Sequence, residues 1–103
     1  MYKIITAIVR DELVEKIKLA LESAGIVGMS FIPVKGEGEY VNTYSVDGCE
    51  NHIKLEIYIS ADKVESAVNI ILDKAHTGLK GDGIVAVSAV DQLYRIRTKT
   101  LLK

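Results

Sequence analysis

The chain has 103 residues, 49% of them hydrophobic and 26% charged, with a formal net charge of −1. That balance is globular, gives room for one domain over 1–103, and lacks the basic surplus of a nucleic-acid or polybasic membrane protein. One cysteine excludes an internal disulfide framework, and no apolar run reaches the roughly 18 residues of a spanning helix, so a cytoplasmic protein without a leader is expected.

The segment 2–9 (YKIITAIV) is short and rich in β-branched residues, which predicts a buried strand. Asp11 offers a helix N-cap, and Leu13, Ile17, Leu21 and Ala24 recur at helical spacing. Gly25 follows as the residue just past the helix end, where glycine takes the left-handed conformation most readily. A second strand is predicted over 27–35 (VGMSFIPVK), with Pro33 marking an edge or a bulge. From 36 to 52 apolar periodicity stops, and three glycines and four carboxylates predict a long loop over about 37–52.

The layout then repeats. In 53–59 (IKLEIYI), Leu55, Ile57 and Ile59 alternate with Lys54, Glu56 and Tyr58, as in a strand with one buried face. Ser60 or Asp62 can cap a helix carrying Val64, Ala67, Val68, Ile71 and Ala75, which Gly78 ends. A short strand over 84–87 and an extended piece over 94–98 (YRIRT) complete the chain. Two strand–helix–strand halves make an α+β protein, a ferredoxin-like βαββαβ sandwich with a C-terminal extended segment. Its helices cover one sheet face, so the other, offering Tyr2, Ile4 or Ile5, and Tyr58, is expected to be covered by self-association.

Catalytic equipment is sparse. His52 and His76 are the only histidines, and no nucleophile elbow, zinc-protease or P-loop spacing occurs, so no enzyme and no resident metal are expected. Cys49 and His52 lie three apart in the long loop, and a ligand pair for a transition metal is the weaker reading of them. The segment 77–83 (TGLKGDG) is more informative, because glycines between a helix end and a strand start expose backbone N–H groups that can cradle an anion. A plain turn with a glycine cap explains the same residues without a ligand. Arg95 and Arg97 tilt the balance: two apart in an extended segment they share a face, about 7 Å apart, and offer forked donors to phosphate.

TGLKGDG followed by a short apolar strand and YRIRT resembles the C-terminal signature of the PII signal-transduction proteins, and GIVGMSFIPVKGEG at 25–38 resembles the segment leading into their T-loop. The resemblance spans nearly the whole chain. It implies a homotrimer that binds ATP or ADP in clefts between subunits and docks its T-loop on a transporter, enzyme or regulator. By position, Ala7, Gly36, Gly38, Val64, Lys80, Gly81, Asp82, Gly83, Arg95 and Arg97 would form the nucleotide site. Glu37, Tyr40, Tyr44 and Asp47 would belong to the partner-binding loop. The departures are specific. Ile84 and His52 stand where the family commonly has phosphate-binding lysines, which favours fewer phosphates. Tyr40 replaces a glutamine tied to magnesium and 2-oxoglutarate, and the loop is shorter and acidic.

Overall fold

The structure, a computed structural model, describes residues 1–36 and 50–103. Strand β1 (Tyr2–Arg10) leads through a single 3₁₀ turn into helix α1 (Val14–Ser23) and back along β2 (Met29–Gly36). Strand β3 (Glu50–Ser60), a second 3₁₀ turn, helix α2 (Val64–Ala75) and β4 (Ile84–Val90) repeat the plan. The strands form one antiparallel sheet in the order β2-β3-β1-β4. This is the α+β ferredoxin-like sandwich the pattern predicts.

The core is the helix-facing side of that sheet. Ile5, Ala7 and Val9 of β1 and Leu55, Ile57 and Ile59 of β3 alternate into it and meet Ile17, Leu21, Ala67, Ile71 and Ala75 from the helices. Ile5 is wholly buried there, so the face without helices presents Ile4, not Ile5, beside Tyr2 and Tyr58. β2 is an edge strand, where Pro33 sacrifices no ladder bond on its open side.

Several boundaries move. Neither Asp11 nor Asp62 caps a helix by its side chain: each sits inside a 3₁₀ turn whose N-cap, Arg10 or Ser60, makes no side-chain cap bond. The Ser60 hydroxyl instead bonds the Asp62 carboxylate and lowers its pKa. Ala24 lies just past α1, exposed, while Gly25 with φ of 80° is its helix-ending residue as predicted. Helix α2 stops at Ala75, where His76 turns extended, so Gly78 belongs to the loop and not to the helix end. β2 begins at Met29 and not at 27, and β4 runs on to Val90.

The largest difference is at the C-terminus. Tyr94 and Arg95 form a two-residue strand, β5, which pairs with β6 (Thr100–Leu101). Residues 96–99 are the turn between them, and Lys99 takes the left-handed φ of 56° that closes it. A long extended YRIRT segment is therefore absent. This small hairpin shares no ladder with the four-stranded sheet. The chain is elongated, 47 Å by 23 Å by 20 Å.

Candidate functional site

The 77–83 loop is built around one carboxylate. Asp82 Oδ2 accepts the Thr77 N–H at 2.8 Å and the Gly78 N–H at 2.9 Å, while Oδ1 accepts the Thr77 hydroxyl. The Leu79 N–H bonds Thr77 Oγ1 at 3.2 Å. From β1, Arg10 donates through Nε to Asp82 Oδ1 at 3.3 Å and through Nη2 to the Lys80 carbonyl at 2.7 Å. From β3, His52 Nε2 lies 2.9 Å from the Gly81 carbonyl, and since a carbonyl only accepts, this nitrogen carries the proton. Burial raises the Asp82 pKa, but the bonds from Thr77, Gly78 and Arg10 outweigh it and hold the carboxyl at about 2.

Two predicted features change here. The open row of N–H groups at the start of the loop is already filled: the N–H groups of Thr77 and Gly78 serve Asp82, an anion supplied by the chain itself. Any external anion must therefore use the later part, around Lys80 and Gly81. His52 is not in a loop. It lies in β3, 1% exposed, in register between Arg10 and Val34. A role for it beside Cys49 as a metal pair has no support in that position, and Cys49 is outside the described residues. Among the described residues no group of three or more His, Cys, Asp and Glu is placed to hold a metal ion.

Gly83 fixes where the loop rejoins the sheet. It has φ of 104°, and a Cβ there would sit 1.7 Å from the Ile8 carbonyl oxygen. Only glycine lets the loop lie this close on β1. On the helix side, Gly83 and Asp82 line a cavity of about 200 Å³ with Val9, Ile71, Ala75 and Ile84.

The other named residues are dispersed. Gly36 ends β2 next to Glu50, while Gly38, Glu37, Tyr40, Tyr44 and Asp47 lie outside the described residues. Ala7 is fully buried in the core, and Val64 opens α2 at the end of the sheet where Ser60 pairs with Tyr2. The loop follows the other end of α2, about 18 Å along a 12-residue helix. The chain thus does not bring Val64 to its own glycine loop.

The two halves of the predicted phosphate site are separated in the same way. The loop enters β4 at Ile84, paired with Ile8, whereas the hairpin leaves β4 after Val90, paired with Tyr2. Seven strand residues put these ends about 20 Å apart. Arg95 and Arg97 are exposed, make no hydrogen bond or ion pair among the described residues, and stand on a strand and in a turn, not side by side on one strand. What sequence reasoning missed is Arg10, and for His52, which it placed in the loop as a metal or phosphate position, the role of tying the glycine loop to the sheet. Their signal was faint: both are polar groups at the ends of apolar strands, ordinary places for exposed residues.

The architecture is thus an α+β sandwich with a glycine loop anchored on its first strand and an arginine hairpin beyond its last. The family model described as nitrogen regulatory protein P-II matches residues 2–100. The nitrogen regulatory protein P-II of Porphyra purpurea is 41% identical over 107 aligned positions, covering 96% of this chain and 95% of that protein. Nitrogen regulatory protein P-II 2 of Methanothermobacter thermautotrophicus is 40% identical, covering 93% of this chain and 90% of that protein. Among solved structures, Arabidopsis thaliana PII bound to citrate superposes with a TM-score of 0.84 at 31% identity, covering 99% of this chain and 86% of that one. The chain belongs to the P-II family of nitrogen-regulatory signal-transduction proteins.

Proposed function

We propose that this chain is a non-enzymatic cytoplasmic regulator that binds an adenine nucleotide between copies of itself in a homotrimer. In the bound state the segment between β2 and β3, residues 37–49, controls a partner transporter or enzyme. The observation that carries this reading is the separation just described. A preorganised glycine loop with Lys80 exposed lies at one end of the sheet, and two exposed arginines, without an ion pair among the described residues, lie beyond the other. One chain leaves each half incomplete, while the hairpin of a second copy can bring Arg95 and Arg97 to the loop of the first. The face without helices, with Ile4 and Tyr58 on it, offers the apolar area such an assembly buries.

The test is a thermal-shift titration with ATP, ADP and AMP on the native chain and on an Arg95→Ala, Arg97→Ala double variant. A nucleotide that binds only the folded state raises the melting temperature by mass action, and the double variant is expected to lose that rise. No shift with any of the three at millimolar concentration rules the reading out. A second reading, a small non-nucleotide anion at the same place, is favoured by one observation: the Arabidopsis thaliana relative is described as bound to citrate. Citrate and bicarbonate in the same titration separate the two.

A further inference from the structure

The two helices end differently. At the end of α1 the Ala24 and Ile26 N–H groups bond the Leu21 carbonyl, and the Gly25 N–H bonds that of Glu22. At the end of α2 the chain turns extended at His76, and among the described residues no backbone N–H returns to the carbonyls of Leu72 to Ala75. These acceptors stand at the negative end of the helix dipole, where a cationic donor is favoured. Beside them opens the cavity of about 200 Å³ on the helix side of the sheet. Its floor is the buried Val9, Ile71 and Ala75. Its banks are Leu72, 53% exposed, and Ile84, 43% exposed, two large apolar side chains left in water. No lysine or arginine lines it, whereas the ionised Asp82 does. The Asp82 oxygens already accept from Thr77, Gly78 and Arg10, so Asp82 contributes charge and the helix carbonyls contribute the acceptors.

We propose that this cavity binds a small primary amine with a branched or aromatic hydrocarbon body. The ammonium sits at the uncapped end of α2 beside Asp82, and the body rests on Val9, Ile71, Leu72 and Ile84. An apolar cavity of roughly 150 Å³ holds a benzene ring, so the space here admits a body of about five or six carbons. The head group decides the class. A carboxylate would meet helix carbonyls and Asp82 with no cation lining the cavity, so it stays in water. An alcohol makes the hydrogen bond without the charge, the weaker kind. Lys80 and Gly81 do not line the cavity, so the site is separate from the place left for an anion. Asp82 and Gly83 belong to both, and an amine held here rests against the segment that seats the glycine loop on β1.

Three probes with one hydrocarbon body and different heads test this: 3-methylbutylamine, 3-methylbutan-1-ol and 3-methylbutanoate. Each is titrated into the full chain at neutral pH while amide NMR signals are followed. The amine is expected to move the signals of Leu72, Ala75 and Gly83 with a Kd of roughly 1–10 mM, as suits so small a ligand. The alcohol is expected to bind about tenfold more weakly, the size of one charge-assisted bond lost, and the acid not to bind. Ala75→Leu, which fills the cavity, is expected to abolish amine binding, with its folding checked by melting temperature. Leu72→Ala, at an exposed position that leaves the fold intact, is expected to weaken the amine roughly threefold by removing one bank. The acid binding as tightly as the amine overturns the proposal, as does an amine response that survives unchanged in both variants. No response to any of the three probes overturns it outright. None of these outcomes bears on nucleotide binding, which the thermal-shift titration tests separately.

Discussion

Arg10 and Asp82, 72 positions apart in sequence, meet at 3.3 Å where the last residue of β1 holds the loop that precedes β4. The pair is two-sided, because the same guanidinium also holds the Lys80 carbonyl. Arg10→Ala removes both bonds and leaves a partly buried carboxylate without its cation. Breaking a buried pair costs about 3–5 kcal/mol, and the 23% exposure of the Asp82 side chain reduces that here to about 2 kcal/mol. Urea denaturation is the measurement, and a change below a few tenths of a kcal/mol shows that the pair does not hold the loop.

Asp82 also gives a pH dependence of definite sign. Its folded pKa of about 2 is below the ordinary value of 3.8, so the unfolded chain binds the proton more readily. The stabilisation is fully present above pH 4 to 5 and is lost as pH falls through the folded value. Integrated over the shift, it is worth about 2 kcal/mol. The difference in unfolding free energy between native chain and Asp82→Asn is therefore expected to shrink between pH 5 and pH 2. A difference constant over that window contradicts the assignment.

Gly83→Ala is expected to be the most damaging glycine substitution in the loop. The new methyl must avoid the Ile8 carbonyl at 1.7 Å with φ at 104°, so β1 and the loop must part. A loss of at least about 2 kcal/mol is expected, accompanied by loss of nucleotide binding if the loop is the site. Gly25→Ala is the control: φ is 80° but no atom lies within 4 Å of the added Cβ, so the cost is conformational alone, about 1 kcal/mol. Equal losses in the two variants are inconsistent with a close approach at Gly83.

The contrast between these two glycines also shows what was legible in the sequence. Gly25 follows a helical stripe of Leu13, Ile17 and Leu21, and that local pattern alone locates the helix end correctly. The same logic applied to Gly78 fails, because α2 stops three residues earlier and the loop's shape is dictated by Asp82, downstream of it. Alternation identified the buried face of β3 through Leu55, Ile57 and Ile59. It left Ile4 and Ile5 undecided, since both are β-branched, and only the register with Tyr58 and Ile57 separates them. Spacing rules also assume a continuous strand, and so placed Arg95 beside Arg97. The turn that ends β5 after two residues comes from pairing with Thr100 and Leu101, a contact that a local pattern does not record. Arg10, and the anchoring role of His52, were missed for the same reason: both depend on a loop that returns to them from 70 and 29 positions away.

The face without helices yields the last prediction. Ile4 is paired with Tyr58 on β3 and Ser88 on β4, in the middle of that face, and two charged residues, Lys54 and Glu56, lie nearby on the same side of β3. A carboxylate at position 4 would be removed from water in an assembled face with no cation certain to reach it, and an unpaired buried charge costs more than such a contact gains. Within the single chain the same side chain is only half-buried and can stay hydrated, so folding is expected to survive. Ile4→Glu should therefore lower the solution mass from a multiple of 11.3 kDa to that of one chain, with the melting transition still cooperative. Light scattering on both proteins measures it. A native chain that already runs at the single-chain mass refutes the assembly, and with it a site shared between the glycine loop of one copy and the arginine hairpin of another.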